Sequence, residues 1–502
     1  MASASVTTWD PLIVAIDLGT SACKVVAFDA KGRRIAYGRR AYNSLLDQNG
    51  RVEQNPATWW LGLKDAIRAS GIGKFRRPIA GYAISTLRAA VLPLDRRGRP
   101  LGPAILAPDT RASAEVNSLS GLIGEETLYR ASGLKLTSYA ALPRILWLKR
   151  AKPKIFSRTA SIVCAQDYLI QKLCGRLITD YSHASRTMCL NIRSKQWDSG
   201  VLTSSGLSCE LFPELVDPGS VVGELSREAS RTLGIPVAPV IAAGGDQMCA
   251  SVGLGAVTPE RVSINHGTGS FVERLRTAPA LPSDRKSLTS IHVLRNRWIQ
   301  EFPMLKTGRL IEDFIRMTVG PRPDFVSVLE PALRHSMSSP RSHSLFFLPY
   351  QSGSTAPHWN PHLPGAIWGL RSHHRIPDVL RCLVESILFD LRRCLQFLNT
   401  RPQEVVVGGQ LTRLRGFNQM QADIFGIPVA RPREPEATAL GAAVLGAAAL
   451  GFYPTAQMAA REMVSLDDAS RQFPAPGWKA RYQELFDSHS ELLDVAIRSS
   501  KG

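Results

Sequence analysis

Two places in the chain share one pattern of apolar and polar positions. Near the start, an apolar run from Ile13 closes on Asp17, the small-residue stretch Leu18-Gly19-Thr20-Ser21-Ala22 interrupts it, and Cys23 to Asp29 resumes it. Both runs are rich in β-branched residues, which predicts Ile13 to Asp17 and Cys23 to Asp29 as antiparallel strands of a hairpin with a polar tip. Half a chain later, Val262-Ser263-Ile264 leads through Asn265-His266-Gly267-Thr268-Gly269-Ser270 into Phe271-Val272, again strand, tip and strand. Gly19 lets the backbone come close to a ligand, Thr20 and Ser21 add hydroxyls, and successive free amides at such a tip form an anion-binding concavity. Asp17, ending a buried strand beside the tip, suits a phosphate-bound magnesium ion; the same residues also suit an ordinary hairpin whose turn Asp17 caps. The second copy favours the first reading, with two similar domains serving one nucleotide.

Between and after these hairpins the periodicity predicts a strand over Arg34 to Tyr42, then an amphipathic helix opened by Pro56 with Asn55 as its N-cap. Strands follow at Ile79 to Thr86 and Val91 to Asp95, mainly helical segments from Ser113 to Lys149 and from Ala165 to Leu173, and a strand over Pro236 to Ile241 that stops at Ala242-Ala243-Gly244-Gly245-Asp246-Gln247. In the second half come a strand at Leu345 to Tyr350, a loop from Gln351 to Gly365, and a helix from Pro377 to Leu398. Val405-Val406-Val407 then runs into Gly408-Gly409, with a helix at Phe417 to Phe425, a short strand at Pro428 to Ala430, an Ala-rich helix at Ala437 to Gly451, and a tail helix from Trp478 to Ser499 expected to pack back on the body. This order argues for an α/β protein, with a domain change just after Gln247, giving domains 1–248 and 249–502.

Composition narrows the class. The chain has 502 residues, 44% hydrophobic and 21% charged, which is a soluble globular composition long enough for two domains. Its formal charge of +19 comes from scattered Lys and Arg, read as a basic surface that attracts an anionic nucleotide rather than as a nucleic-acid site. The eight cysteines show no Cys-x-x-Cys pair, as expected of reduced thiols in a cytoplasmic protein. No signal segment and no membrane span are read.

A strand that stops at two glycines and then presents Asp246 and Gln247 displays those side chains at a sheet edge, where clefts of α/β folds lie. Gly408-Gly409 at another strand end suits a base and ribose against bare backbone. There is no P-loop and no Gly-x-Gly-x-x-Gly. His358, His362, His373 and His374 read as loop histidines rather than as zinc ligands.

Together these pieces resemble the FGGY family of carbohydrate kinases over nearly the whole length. The resemblance rests on Asp17 to Ser21, Gly244-Gly245-Asp246-Gln247, Gly267-Thr268-Gly269, Phe347-Leu348-Pro349-Tyr350 with Gly353 to Pro361, Gly408-Gly409, and Glu436-Ala437-Thr438-Ala439-Leu440-Gly441-Ala442-Ala443. It implies two actin-like (ribonuclease H-like) domains around a nucleotide cleft, and phosphorylation of a sugar or polyol hydroxyl by ATP with Mg2+. It further implies Asp246 as general base, Asp17 and Asp246 at the metal, and Arg88, Tyr139, Asp246, Gln247 and Phe271 at the substrate. The expected ATP contacts are Gly19, Thr20, Ser21, Lys24, Gly267, Thr268, Gly269, Gly308, Gly408 and Gly409. The implied partner is a small sugar or polyol, without nucleic acid or membrane, and a homodimer is an allowed assembly.

Gly267-Thr268-Gly269-Ser270-Phe271 and Met420-Gln421-Ala422-Asp423-Ile424 look like the glycerol-kinase branch. Two positions depart from it: Ala89 stands where an acidic residue is expected after Arg88, and Ala107 where a tryptophan is expected. Losing an acceptor and an aromatic wall weakens a three-carbon polyol and leaves volume for a longer substrate. Asp109-Thr110-Arg111-Ala112-Ser113, Tyr129 to Gly133 and Pro143 to Leu148 look instead like autoinducer-2 kinases, so pentulose, tetritol and related acceptors all stay open.

Overall fold

The computed structural model describes residues 11–47, 50–320, 323–338, 345–351 and 353–500. The first ten residues, whose composition gave no signal segment, and Ser352 of the long loop lie outside the described residues. The chain divides into two units, Met1–Gly253 with Arg276–Gln300 and Glu436–Ser465, and Leu254–Leu275 with Glu301–Pro435 and Leu466–Gly502.

In the first unit the hairpin forms from Leu12–Leu18 and Ala22–Phe28, and every residue of its first strand is buried. A run with no polar face suits a central strand. Its neighbours are the antiparallel Ala22–Phe28 on one side and the parallel Ile79–Thr86 on the other. Across the sheet the order is Ser220–Glu224, Pro239–Gly245, Ile79–Thr86, Leu12–Leu18, Ala22–Phe28 and Arg34–Ala41. The outermost strand, Arg34–Ala41, exposes Arg34, Arg39 and Arg40, charges that discourage edge-to-edge pairing.

The helix Pro56–Ser70 starts as its sequence predicts: Asn55 Oδ1 accepts from Ala57 N at 3.0 Å and Pro56 occupies the first turn. It buries Trp59, Leu63, Ala66 and Ile67, and Gly38 of the edge strand is glycine because a Cβ there would sit 2.0 Å from the Ala66 carbonyl oxygen.

One strand ends later than its sequence suggests. The expected stop at Ile241 is instead a strand Pro239–Gly245 that continues through both glycines, with a register shift between Ala242 and Gly244, and the helix Asp246–Gly253 starts at once. The small residues look like a breaker in isolation, but the neighbouring strand carries the pairing past them. Register then brings three strand ends level: Asp17 lies beside Ser85 and Leu18 beside Thr86, while Gly244 and Gly245 lie beside Ser85 and Thr86. Gly19, Leu87 and Asp246 therefore leave the sheet at one edge.

The second unit repeats this plan. Arg261–His266 and Ser270–Arg276 form the hairpin, Glu404–Gly409 runs parallel to its first strand, and Val429–Ala430 lies parallel beyond. The helix Ile376–Gln396 runs through the core, its polar side chains paired internally, Arg381 with Glu385 and Arg393 with Asp390, both at 2.9 Å. The tail helix Pro476–Ser499 packs back as expected, placing Tyr482, Leu485 and Phe486 in that core. No helix among the described residues is long and apolar enough to cross a membrane.

The Ala-rich helix Ala437–Ala449 closes the first unit by lying against Asp246–Gly253. Small residues make this possible: a Cβ on Gly441 would lie 1.8 Å from the Cys249 carbonyl oxygen, and one on Gly253 would lie 1.9 Å from that of Ala437. Gly441→Ala should therefore destabilise the protein. Helix propensity alone gains about 1 kcal/mol for this change, but a methyl against a backbone oxygen forces the helices apart, at a gross overpacking cost of about 1–3 kcal/mol. The expected net loss of unfolding free energy shows as a lower denaturation midpoint in urea; a midpoint at or above that of the parent would contradict this packing.

Candidate active site

The tip of the first hairpin is built so that its carbonyls face the protein. Tyr42 donates its hydroxyl to Gly19 O at 2.6 Å, and Gln54 donates through Nε2 to Thr20 O at 2.6 Å while accepting from Trp59 Nε1 at 2.7 Å. Gly19 N donates to Ala22 O at 2.9 Å, and Ser21 O accepts from Tyr42 N at 3.0 Å. The amides of Thr20 and Ser21, at the exposed end, donate to no acceptor among the described residues. A turn whose carbonyls are tied back and whose amides are left over is the concavity an anion needs.

Beside this tip, Asp17 and Lys24 are cross-strand partners. Lys24 Nζ stands 3.9 Å from Asp17 Oδ2 and 2.6 Å from Glu436 Oε2. Burial pushes the Asp17 carboxyl up to about 7, against the pull of Lys24, and the carboxylates of Asp246 and Glu436 add to the rise. Burial works against the Lys24 ammonium too, but Asp17 and Glu436 outweigh it and hold its pKa above the usual lysine value. Asp246 opens its helix with Oδ1 accepting from Gln247 N at 2.8 Å, and Arg88 Nε lies 3.5 Å from the same oxygen. Gly245 must be glycine here, because a Cβ would meet Arg88 Cγ and Cδ at 2.9 and 2.8 Å.

Arg88 and Tyr139 are tied together through a residue that the sequence placed in the run from Pro143 to Leu148 but gave no role. Arg144 is fully buried and donates to the carbonyls of Ala89 at 2.7 Å, Tyr139 at 3.0 Å, Ile105 at 2.9 Å and Ala140 at 3.3 Å. One guanidinium thus gathers the segments carrying Arg88 and Ala89, Tyr139, and the run up to Ala107. Ala89 has φ 59°, a left-handed conformation that a small residue tolerates. Next to it, Asp109 accepts from Val52 N at 2.7 Å and pairs with Arg111 at 2.6 Å, and Arg111 reaches Glu53 at 2.7 Å and stacks over Trp147.

In the second unit the tip repeats the same device. Gly267 N donates to Gly269 O at 2.7 Å, and Thr268 O accepts from Arg309 N at 3.1 Å. Close approach explains the glycines: a Cβ on Gly269 would meet Met304 O at 2.5 Å, and one on Gly308 would meet Gly267 O at 2.2 Å. Gly409, with φ 96°, would place a Cβ 1.7 Å from the His266 carbonyl oxygen, and Gly408 would place one 2.8 Å from Leu254 Cδ2. Close packing, against the Leu254 side chain for Gly408 and against the neighbouring strand for Gly409, thus accounts for this pair. Phe271 is half-buried in this unit, paired in register with Asn265, whereas Arg88, Tyr139, Asp246 and Gln247 belong to the first. Behind the second tip, His266 Nε2 donates to Gln421 Oε1 at 2.9 Å, its Nδ1 accepts from Ser270 Oγ at 3.0 Å, and Ser270 accepts from Thr307 Oγ1 at 2.7 Å.

Besides Arg144, the sequence motifs leave out Tyr42, Gln54 and Glu436 as functional positions. Glu436 carried a signal as the first residue of the Glu-Ala-Thr-Ala run, and Arg144 as part of the run from Pro143 to Leu148.

Residues 12–253 match the N-terminal domain and residues 262–450 the C-terminal domain of the FGGY family of carbohydrate kinases. A xylulose kinase of Lactococcus lactis is 27% identical over 94% of this chain and 95% of its own. A glycerol kinase of Koribacter versatilis is 29% identical over 90% of this chain and 92% of its own. The crystal structure of a ligand-bound xylulose kinase from Lactobacillus acidophilus shares the fold with a TM-score of 0.90, at 24% identity, covering 98% of this chain and 99% of that one.

The neutral His266 makes a pH prediction. Burial lowers its pKa to about 4, and burial lowers those of His292 and His489 to about 3. Unfolding returns each to about 6.5, so below that pH the unfolded chain binds more protons. Unfolding free energy should fall as pH drops from about 6.5 toward 4. Urea denaturation across this window should show a shallower slope in His266→Gln than in the parent. Equal slopes would mean that His266 is not held neutral.

Proposed function

The chain belongs to the FGGY family of carbohydrate kinases, phosphotransferases with an alcohol acceptor, and from this premise we propose that it transfers the γ-phosphate of ATP to a hydroxyl of a five-carbon ketose, with Asp246 as general base. The observation that carries the base assignment is the Asp246 carboxylate at the start of its helix, at the carboxyl edge of the sheet, 3.5 Å from Arg88. A sugar hydroxyl is a poor nucleophile at neutral pH. As its oxygen bonds to the γ-phosphorus and the bond from that phosphorus to the leaving ADP oxygen breaks, its proton passes to Asp246. Such a positioned base contributes about 10²–10⁴-fold. Arg88, 3.5 Å away, keeps the carboxylate oriented.

The residues present fit ATP and a divalent cation. The leftover amides of Thr20 and Ser21 suit phosphate oxygens, and Thr268 offers the same at the second tip. Asp17 is buried, and burial pushes its carboxyl up to about 7 despite the pull of Lys24, so a bound cation would favour its charged form. Asp17 and Asp246 would hold magnesium. Among the described residues no group of three or more His, Cys, Asp or Glu could hold a metal, which fits an ion that takes one or two carboxylates and completes its shell with phosphate and water. Bound there, magnesium supplies neutralisation of charge on the transferring phosphoryl group.

The acceptor assignment rests on Ala89 and Ala107. Against the glycerol-kinase pattern, each removes a contact that a three-carbon polyol would use, and the smaller side chains suit a longer ketose. Relatives named as xylulose kinases support this choice, beside others named as glycerol kinases.

A panel of glycerol, erythritol, xylulose, ribulose and gluconate, with ADP release as the readout, tests the proposal. Xylulose or ribulose should stimulate ADP release above glycerol, and Asp246→Asn should lower the stimulated rate by about 10²–10⁴-fold. Stimulation by glycerol alone would overturn the acceptor assignment, and a rate unchanged in Asp246→Asn would overturn the base.

A further inference from the structure

A buried carboxylate of the first unit takes no part in the phosphoryl transfer proposed above. Asp180 is fully buried at the end of the strand Ile178–Asp180. Its Oδ2 accepts from Gln166 Nε2 at 2.5 Å, and its Oδ1 accepts from Ser182 N at 2.7 Å and from Ser182 Oγ. Both of these side chains are themselves fully buried, and each spends its other hydrogen-bonding capacity on the glycine pair before Asp246. Gln166 Oε1 accepts from Gly244 N, and Ser182 Oγ accepts from Gly245 N, both at 3.0 Å.

The strand needs this help. Its antiparallel neighbour Ser220–Glu224 pairs only as far as Ala242, and the bulge between Ala242 and Gly244 breaks the ladder on the other side. A bulge re-aims the residues on its C-terminal side, and a buried amide left without an acceptor costs about 1–3 kcal/mol. Side chains supply the acceptors that the strands do not. Gly244 has φ 121°, and a Cβ would lie 2.5 Å from Val293 Cγ1 and 2.7 Å from Ser182 Oγ, so the peptide is fitted closely to this support.

An ionised carboxylate can only accept hydrogen bonds. That fixes the polarity of both arms: Gln166 must turn its nitrogen to Asp180 and its oxygen to Gly244, and Ser182 must give its proton to Asp180 and a lone pair to Gly245. We infer that Asp180 is a positioning residue for Asp246, setting the direction of two hydrogen-bond chains that lock the Gly244-Gly245 peptides and thereby aim the Asp246 carboxylate at the acceptor hydroxyl. This rests on the reading of Asp246 as general base.

Asp180→Asn tests it with almost no change of shape. One end of the new side chain is a donor, and it confronts either the Gln166 amide nitrogen or the Ser182 hydroxyl. The expected result, with the acceptor that stimulates ADP release, is a fall in kcat of about 10- to 100-fold, an ATP KM within about twofold of the parent, and faster amide hydrogen exchange at Gly244 and Gly245. Ser182→Ala, which removes only the Gly245 arm, should show a smaller fall, and it carries the same test should Asp180→Asn not fold. The double variant should lose less than the product of the single losses, because both act on one chain. Parental kcat and exchange in Asp180→Asn and Ser182→Ala would overturn the positioning role, as would a loss in which ATP KM and thermal midpoint collapse together with kcat. Turnover that survives in Asp246→Asn overturns the general-base reading instead, and amide exchange tells the two failures apart, because it reports the network without passing through catalysis.

Discussion

The parallel register of three strands is the constraint from which the first unit's chemistry follows. Asp17, Ser85 and Gly244 stand side by side, so the segments leaving Leu18, Thr86 and Gly245 start from one line. A slip by one residue would turn each alternating side chain to the opposite face and would carry Asp17 away from Lys24. The apolar faces forbid that slip: Leu12, Val14 and Ile16 fill one core with Ile84 and Ala242, and no polar residue can take their place without losing the burial that holds the sheet. The hydrophobic pattern thus decides where a hairpin tip, an arginine and a carboxylate emerge, before any of them has a ligand.

A second constraint is electrostatic and closes the unit from the far end of the chain. Asp17 and Lys24 face each other in a buried hairpin, and burial penalises the charge of both. The second partner of Lys24 is Glu436, 412 residues away, whose carboxylate adds to the negative charge around Asp17. It arrives with the helix Ala437–Ala449, whose glycines let it lie against the helix that starts at Asp246. The first unit therefore depends on residues made after most of the second unit. Its charged site and its last core helix come from one late segment, which couples completion of the fold to completion of the site.

The sequence made legible whatever depends on neighbours along the chain. Both hairpins could be read because a glycine-rich tip between β-branched runs is a local signal, and the Asn55-Pro56 helix start could be read from its cap. The end of Pro239–Gly245 was misplaced because Ala242-Ala243-Gly244-Gly245 has no propensity for a strand, and the adjoining Ile79–Thr86 with the side chains of Gln166 and Ser182, distant in sequence, keeps it extended. Tyr42 and Gln54 gave no sign and Arg144 gave none of its role, since their targets are carbonyls whose positions the fold alone determines. Gly409 was legible as a glycine that matters, but for a reason that omits the His266 carbonyl pressed against it. The resemblance carried the functional reading across these gaps, since motif order survives where side-chain contacts cannot be inferred.

The two tips also explain why one plan can serve unlike chemistry. In each, carbonyls are tied back into the protein and amides are left over, so the part that suits phosphate is backbone and does not depend on which side chains stand behind it. Those side chains have diverged accordingly. Behind the first tip stand a half-buried lysine and carboxylates, groups that can meet a cation and take up a proton; behind the second stands a neutral chain from Thr307 through Ser270 and His266 to Gln421, which fixes a loop without adding charge. A repeated backbone device freed from its side chains lets one unit concentrate charge behind its tip while the other holds its tip with neutral hydrogen bonds.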